Sequence, residues 1–238
     1  MKTVLHPSAE RGHVNHGWLN AKHSFSFASW YNPEKVHFGV LRVLNDDWVA
    51  PGMGFGMHPH DNMEIITIPF SGTLAHKDSM GNNGTISYGE IQVMSAGLGI
   101  MHSEFNHSAS EPVTLFQIWL FPKVRDVKPR YDQIAYDKEK MHNEWLQIIS
   151  PDPNDAGSWI HQDAWFHLGR FEKGMPIEYR GRKEGNGFYV MMIEGDMQVE
   201  GQVLHARDAM GITEADGFKA VAESDCFLLV MDIPMHVK

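Results

Sequence analysis

Met57-His58-Pro59-His60-Asp61-Asn62-Met63-Glu64 and, further along, Gly99-Ile100-Met101-His102-Ser103-Glu104 are the stretches on which the reading of this chain turns. Side chains alternate between faces along an extended strand, so residues two apart share a face. His58, His60 and Glu64 fall at even positions, as do His102 and Glu104. If both stretches are regular strands, each presents its imidazole and carboxylate groups to one side, as two halves of one metal site. Such a donor set suits iron, manganese, nickel, copper or zinc.

The surroundings of these stretches are of the same kind. Short apolar runs recur throughout, among them Val36–Leu44, Glu64–Ile68, Ile91–Met94, Val113–Leu120 and Phe188–Ile193. Turn residues divide them, as at Ser71-Gly72, Gly81-Asn82-Asn83-Gly84, Glu194-Gly195-Asp196 and Ala215-Asp216-Gly217. Short strands at this spacing predict a sandwich or barrel, and long helical periodicity is scarce. The stretch Pro122 to Glu144 is charged and lacks a sustained apolar run; it reads as the connection between two β units, with a short helix near Tyr136-Asp137-Lys138-Glu139-Lys140. Each half carries strand, glycine turn, strand, then an acidic turn into a further strand: through Phe70-Ser71-Gly72 and Tyr88-Gly89-Glu90 in the first, through Glu194-Gly195-Asp196 and Arg207-Asp208 in the second. The second copy has no His-x-His, so the metal site is expected in the first copy alone.

A chain of 238 residues, 42% hydrophobic with seven Trp and thirteen Phe, can build real cores in one large or two small domains. Lys plus Arg total 20 against 30 Asp plus Glu, a net charge of −10, which argues against broad nucleic-acid binding. The single cysteine, Cys226, excludes an intramolecular disulfide and a thiolate metal cluster, and in its apolar run it reads as a buried core thiol. No apolar stretch approaches the ~18 residues of a membrane-spanning helix, and the amino terminus lacks a secretory pattern. A cytoplasmic protein without membrane contact is the expectation.

The amino-terminal half resembles the cupin superfamily. Gly52, His58, His60 and Glu64 meet its first motif, with the following glycine one place late at Gly72; Gly99, His102 and Asn106 meet the end of the second, with Ser95 in place of the usual proline. Read as a whole, His58-Pro59-His60, Glu64, His76-Lys77-Asp78-Ser79-Met80-Gly81 and Met94 through Glu104 resemble the pirin family. Its bacterial branch also shares Arg11-Gly12-His13-Val14-Asn15-His16-Gly17-Trp18, Ser24-Phe25-Ser26-Phe27 and Pro129-Arg130-Tyr131.

That resemblance implies an all-β bicupin of two jelly-roll-like barrels: residues 1–133 as the metal-binding domain and 134–238 as a second barrel without a metal, structural or acting as a lid. It implies His58, His60, His102 and Glu104 as ligands of one divalent transition metal, Fe(II) first, with Ni, Cu, Mn or Zn as alternatives. Glu64, the ligand of the general cupin pattern, and His76 are left as candidates to sit behind the ligands and orient them. His76 and Asp78 also have a plainer role as turn stabilisers, and the many Met residues read as core filler. The implied activity is cleavage of a flavonol such as quercetin with O2 and loss of carbon monoxide, Glu104 acting as the base. The partners are then a phenolic small molecule and O2, with no nucleic acid; the substrate-contacting residues are not assigned. Two other readings stand beside it: a non-catalytic iron-containing redox sensor that contacts a regulator, and an O2-independent isomerase or hydrolase on the same scaffold.

Overall fold

The computed structural model describes residues 1–237. Strands take 57% of the chain and helix 3%, so the architecture is all-β. It comprises two barrels of the same plan, each a seven-stranded sheet facing a four-stranded one. In the first barrel the large sheet runs Arg130–Ala135, Glu90–Ser95, Glu64–Ser71, Val113–Leu120, Leu41–Val49, Leu19–His23, Gly12–Asn15. The small sheet runs Gly54–His60, Ile100–Asn106, Thr73–Asp78, Asn83–Ser87. The second barrel repeats this order. Its large sheet is Lys2–His6, Ala209–Thr213, Asn186–Glu194, Cys226–Pro234, Trp165–Phe171, Trp145–Ser150, Ser158–Trp159; its small sheet is Pro176–Arg180, Gly217–Ala222, Met197–Val199, Gln202–Leu204. The internal repeat read from the glycine turns is therefore a repeat of whole barrels.

The two large sheets pack face to face. Ile66, Ile68, Ile91, Val93, Phe116 and Ile118 of the first meet Phe166, Leu168, Tyr189, Met191, Leu229 and Met231 of the second in one apolar cluster. Alternation decides what the opposite faces do. In the second barrel they fill the interior with Phe188, Val190, Met192, Met210, Leu228 and Val230. In the first, the residues between those apolar positions include Thr67, Gln92 and Gln117, all buried. One barrel is thus plugged with hydrocarbon, while the other sets a band of polar groups among its apolar ones.

Three expectations are corrected. The stretch from Pro122 to Glu144 is not all connection: Arg130–Ala135 pairs with Glu90–Ser95 and so belongs to the first barrel's wall, while the expected short helix is a 3-10 turn at Lys138–Met141. The amino-terminal strand Lys2–His6 pairs with Ala209–Thr213 and lies in the second sheet, where the division at residue 133 would put it in the first. The second barrel packs behind the first and is no lid, since every residue lining the first barrel's cavity comes from the first barrel itself.

Candidate metal centre

The small sheet of the first barrel carries the histidines. His102 stands directly across from His58, and Ile100 across from His60. The register between these strands slips by one residue between His102 and Glu104, because Glu104 pairs with Phe55. An extra residue in one strand re-aims the side chains beyond it. Here it brings Phe55, at an odd position, to line the same cavity as His58 and His60.

His58, His60 and His102 offer ligand atoms all within 4.8 Å of one another; Glu104, His76 and His102 form a second such group. The four expected ligands therefore meet at His102, which belongs to both. His58 Nδ1 lies 2.7 Å from Gly56 O, and since a carbonyl only accepts, the proton sits on Nδ1 and Nε2 keeps its lone pair. His102 is 1% exposed and, among the described residues, neither of its ring nitrogens has a hydrogen-bond partner. Burying an imidazole with both nitrogens unpaired is costly, and a cation on the lone-pair nitrogen would offset part of that cost. Burial holds His60 down to about 4 and, with His58 and His60 beside it, His102 down to about 3, so both are neutral at pH 7 as a metal ligand must be. The donor set thus fits a divalent metal.

Glu104 is buried at the wall, and burial pushes its carboxyl up to about 7. Gln117 Nε2 donates to it at 3.0 Å while Gln117 Oε1 accepts from Thr67 Oγ1 at 3.1 Å, which fixes the amide in one orientation. His76 is the Cα partner of Glu104 in the next strand. Both of its nitrogens are engaged: Nε2 donates to Asp78 at 3.2 Å and Nδ1 accepts from Gln92 at 3.1 Å, with the ring stacked on Tyr131. It packs behind His102 and Glu104 with no lone pair to offer. Asp78 also ties the turn through the backbone N–H groups of Met80 and Asn82, as the plainer reading has it.

Glu64 is not at this centre. Its carboxylate accepts from Ser95 Oγ at 2.7 Å and from the backbone of His161, and burial pushes it up to about 7. The chain turns through Asn62, whose φ is 45°, and leaves the small sheet for the large one. Glu64 then shares a face with Ile66 and Ile68, toward the second barrel. Its even number is no guide once the strand is interrupted.

A cavity of about 440 Å³ opens over the ligands, lined by Trp18, Phe27, Phe55 and Trp119 together with Asn45, Asp47, His58, His60, Glu104 and Gln117. The residues that sequence reading missed are the polar ones inside large-sheet strands: Asn45, Asp47, Thr67 and Gln117. Their signal was a polar side chain at an inward position of an otherwise apolar strand.

At the same positions the second barrel holds aromatic side chains. Leu74 and His76 pair with Asn106 and Glu104, as Met197 and Val199 pair with Ala222 and Ala220. By that register Phe218 stands where His102 does, and its partner Tyr179 where His58 does. Tyr179 and Phe218 are stacked, with ring centroids 5.6 Å apart.

Residues 5–120 match the pirin family, and residues 133–233 match the quercetinase C-terminal cupin domain. The chain is 38% identical over 230 residues to the quercetin 2,3-dioxygenase of Escherichia coli K12, covering 97% of this chain and 98% of that protein. It is 38% identical over 227 residues to a pirin-like protein of Caulobacter vibrioides, covering 95% of this chain and 97% of that one. The crystal structure of YhhW from Escherichia coli superposes with a TM-score of 0.94 at 36% identity over the whole of both chains. The bacterial pirin YhhW in complex with nickel(II) gives 0.93 at 36% identity, covering 99% of this chain and 100% of that chain. With both barrels matched and relatives aligned along almost their full length, the chain belongs to the pirin family, as a bicupin whose first barrel carries a cluster of metal-type ligands.

Proposed function

We propose that this protein is a metal-dependent dioxygenase that opens a flavonol such as quercetin with O2. The observation that carries the reading is the shared wall: His58, His60 and the buried Glu104 face the same cavity as four aromatic rings, Trp18, Phe27, Phe55 and Trp119. A flat polyphenol matches that lining, since apolar walls with a few placed polar groups are what small-molecule sites present. The name carried by the Escherichia coli relative supports the same reaction.

His58, His60, His102 and Glu104 would hold the metal, Fe(II) being our first choice and nickel, copper, manganese or zinc fitting the same donors. When bound, it supplies Lewis acidity toward a substrate hydroxyl and a redox partner for O2. The chain's own part is to orient and deprotonate. The rings sandwich the flavonol and exclude water. A Glu104 oxygen takes the proton of the hydroxyl presented to it, leaving an electron-rich ring. Gln117 holds that carboxylate in one orientation throughout.

Oxygen uptake by the Fe(II)-loaded protein with quercetin tests the reading. Glu104→Gln is expected to lower the rate by about 100-fold or more, and His58→Ala to lower both metal stoichiometry and rate. Stoichiometric iron with no uptake would overturn the dioxygenase reading and favour the redox sensor.

A further inference from the structure

Asn45 and Asp47 lie on the strand Leu41–Val49 and line the cavity that His58, His60 and Glu104 share. They are 4% and 5% exposed. Among the described residues neither side chain makes a hydrogen bond, and Asn45 Oδ1 and Asp47 Oδ1 are sealed in the wall without a partner. The small part of each that remains open faces the cavity. Their neighbour cannot serve them: Gln117, across from Asn45 in register, has its amide committed to Glu104 and Thr67. Leaving two adjacent buried polar groups unpaired is destabilising, and folded proteins tolerate it where a ligand completes the pairing.

The chemistry of the pair narrows that ligand. Asn45 is a neutral amide that both donates and accepts, and burial, with Asp46 and Glu104 nearby, pushes the Asp47 carboxyl up to about 8, toward its protonated form. A hydroxyl, which donates and accepts at once, satisfies both. Residues two apart in a strand are separated by about 6.7 Å; two hydrogen bonds of about 2.8 Å meeting at one oxygen fall short of that, whereas two neighbouring hydroxyls, one to each side chain, span it.

We propose that Asn45 and Asp47 bind phenolic hydroxyls on the ring of the substrate remote from the group presented to His58, His60, His102 and Glu104. The site therefore selects polyhydroxylated aromatics and fixes which way round they enter. This rests on the flavonol reading above and adds to it the determinant of substrate class.

The test uses the Fe(II)-loaded full-length protein under argon, where no turnover occurs. Quercetin, kaempferol and galangin carry two, one and no hydroxyls on the pendant ring, and their binding is read by quenching of tryptophan fluorescence. The wild-type protein is expected to bind quercetin about tenfold more tightly than galangin, with kaempferol between. In Asn45→Ala and Asp47→Leu that ratio falls to about twofold or less, while galangin binding stays within about twofold of wild type, which shows the cavity intact. Asp47→Asn, with a donor and an acceptor of the same shape, keeps most of the ratio. Equal affinities in the wild-type protein, or a ratio that survives in both variants, overturns the inference while oxygen uptake with quercetin leaves the dioxygenase reading standing. If none of the three binds, the flavonol reading and the inference fall together.

Discussion

At the scale of single residues, the most informative contrast is between two buried histidines that lack solvent for opposite reasons. Among the described residues neither His102 nitrogen has a hydrogen-bond partner, so one lone pair is free for a ligand. His167, inside the second barrel, has both nitrogens engaged: the Arg182 guanidinium donates to Nε2 at 3.2 Å, and Nδ1 lies 3.0 Å from Tyr179 Oη. Burial and Arg182 hold His167 down to about 3. Its unfolded value is near 6.5, so as pH falls below about 6.5 the unfolded chain takes up a proton that the folded chain refuses. Stability present at neutral pH is therefore lost on acidification between about 6.5 and 3, with a slope of up to about 1.4 kcal/mol per pH unit for this group. His167→Gln keeps an acceptor for Arg182 and cannot titrate. Urea midpoints measured from pH 7.5 to 5 should fall less steeply in the variant than in the wild type, by about 2 kcal/mol at pH 5. Parallel profiles would mean that His167 charges freely in the folded state. His6 and His23, both held near 4 by burial, contribute to the acid branch in either protein and cancel in the comparison.

At the scale of elements, the glycine turns explain both what was readable and what was not. Gly72 has φ +70°, and a Cβ there would meet Pro112 O at 2.5 Å and Val113 Cα at 2.9 Å. Gly195, its counterpart in the second barrel, has φ +74° and would meet Asp225 O at 2.2 Å. Each joins a large-sheet strand to a small-sheet strand where backbone crosses backbone. Gly72→Ala is expected to destabilise by about 2–4 kcal/mol, from left-handed strain and a contact that cannot relax, read as a shift in urea midpoint with unchanged slope. A loss below about 0.5 kcal/mol would show that the crossing has slack. These turns are visible in sequence because only glycine fits them, and the repeat of two barrels could be inferred from their spacing. The histidines were visible because His58-Pro59-His60 and His102-Ser103-Glu104 each set donor groups two apart, and the resemblance to the pirin pattern joined the two stretches. The failures share one cause. Parity arguments assume an unbroken strand, and the turn at Asn62 carried Glu64 to the opposite face of another sheet, while the slip between His102 and Glu104 brought Phe55 inward against its parity. Arg130–Ala135 was hidden because its side chains are only half-buried at a sheet edge and show no apolar run. Asn45, Asp47 and Gln117 were hidden because each is a lone polar residue among apolar neighbours, and only the fold shows that all three face one cavity.

At the scale of the molecule, the chain is interlocked in a way that linear division at residue 133 does not capture. The first strand, Lys2–His6, closes the edge of the second barrel by pairing with Ala209–Thr213 from Lys2↔Thr213 to His6↔Ala209. His6 Nδ1 reaches Tyr189 Oη at 2.8 Å, and Tyr189 belongs to the apolar cluster between the two large sheets. The exposed ion pair of Lys2 with Glu214 adds little beside these. Removing residues 1–7 would strip one edge of its main-chain partners and leave the Tyr189 hydroxyl without His6, a loss of about 1–3 kcal/mol. For a chain of this size that lowers the melting temperature by about 3–10 °C. Because His58, His60, His102 and Glu104 stand on a sheet of the other barrel, metal stoichiometry at 25 °C should be unchanged by the truncation. The newly bare strand Ala209–Thr213 should also make the truncated protein more prone to associate, since an unpaired edge is a template for another chain. Calorimetry, metal analysis and light scattering on the same sample separate the alternatives. Lost metal with little change in melting temperature would place the amino-terminal strand in the service of the site; a lowered melting temperature with full metal content would make it a clasp by which the first barrel's end of the chain stabilises the second.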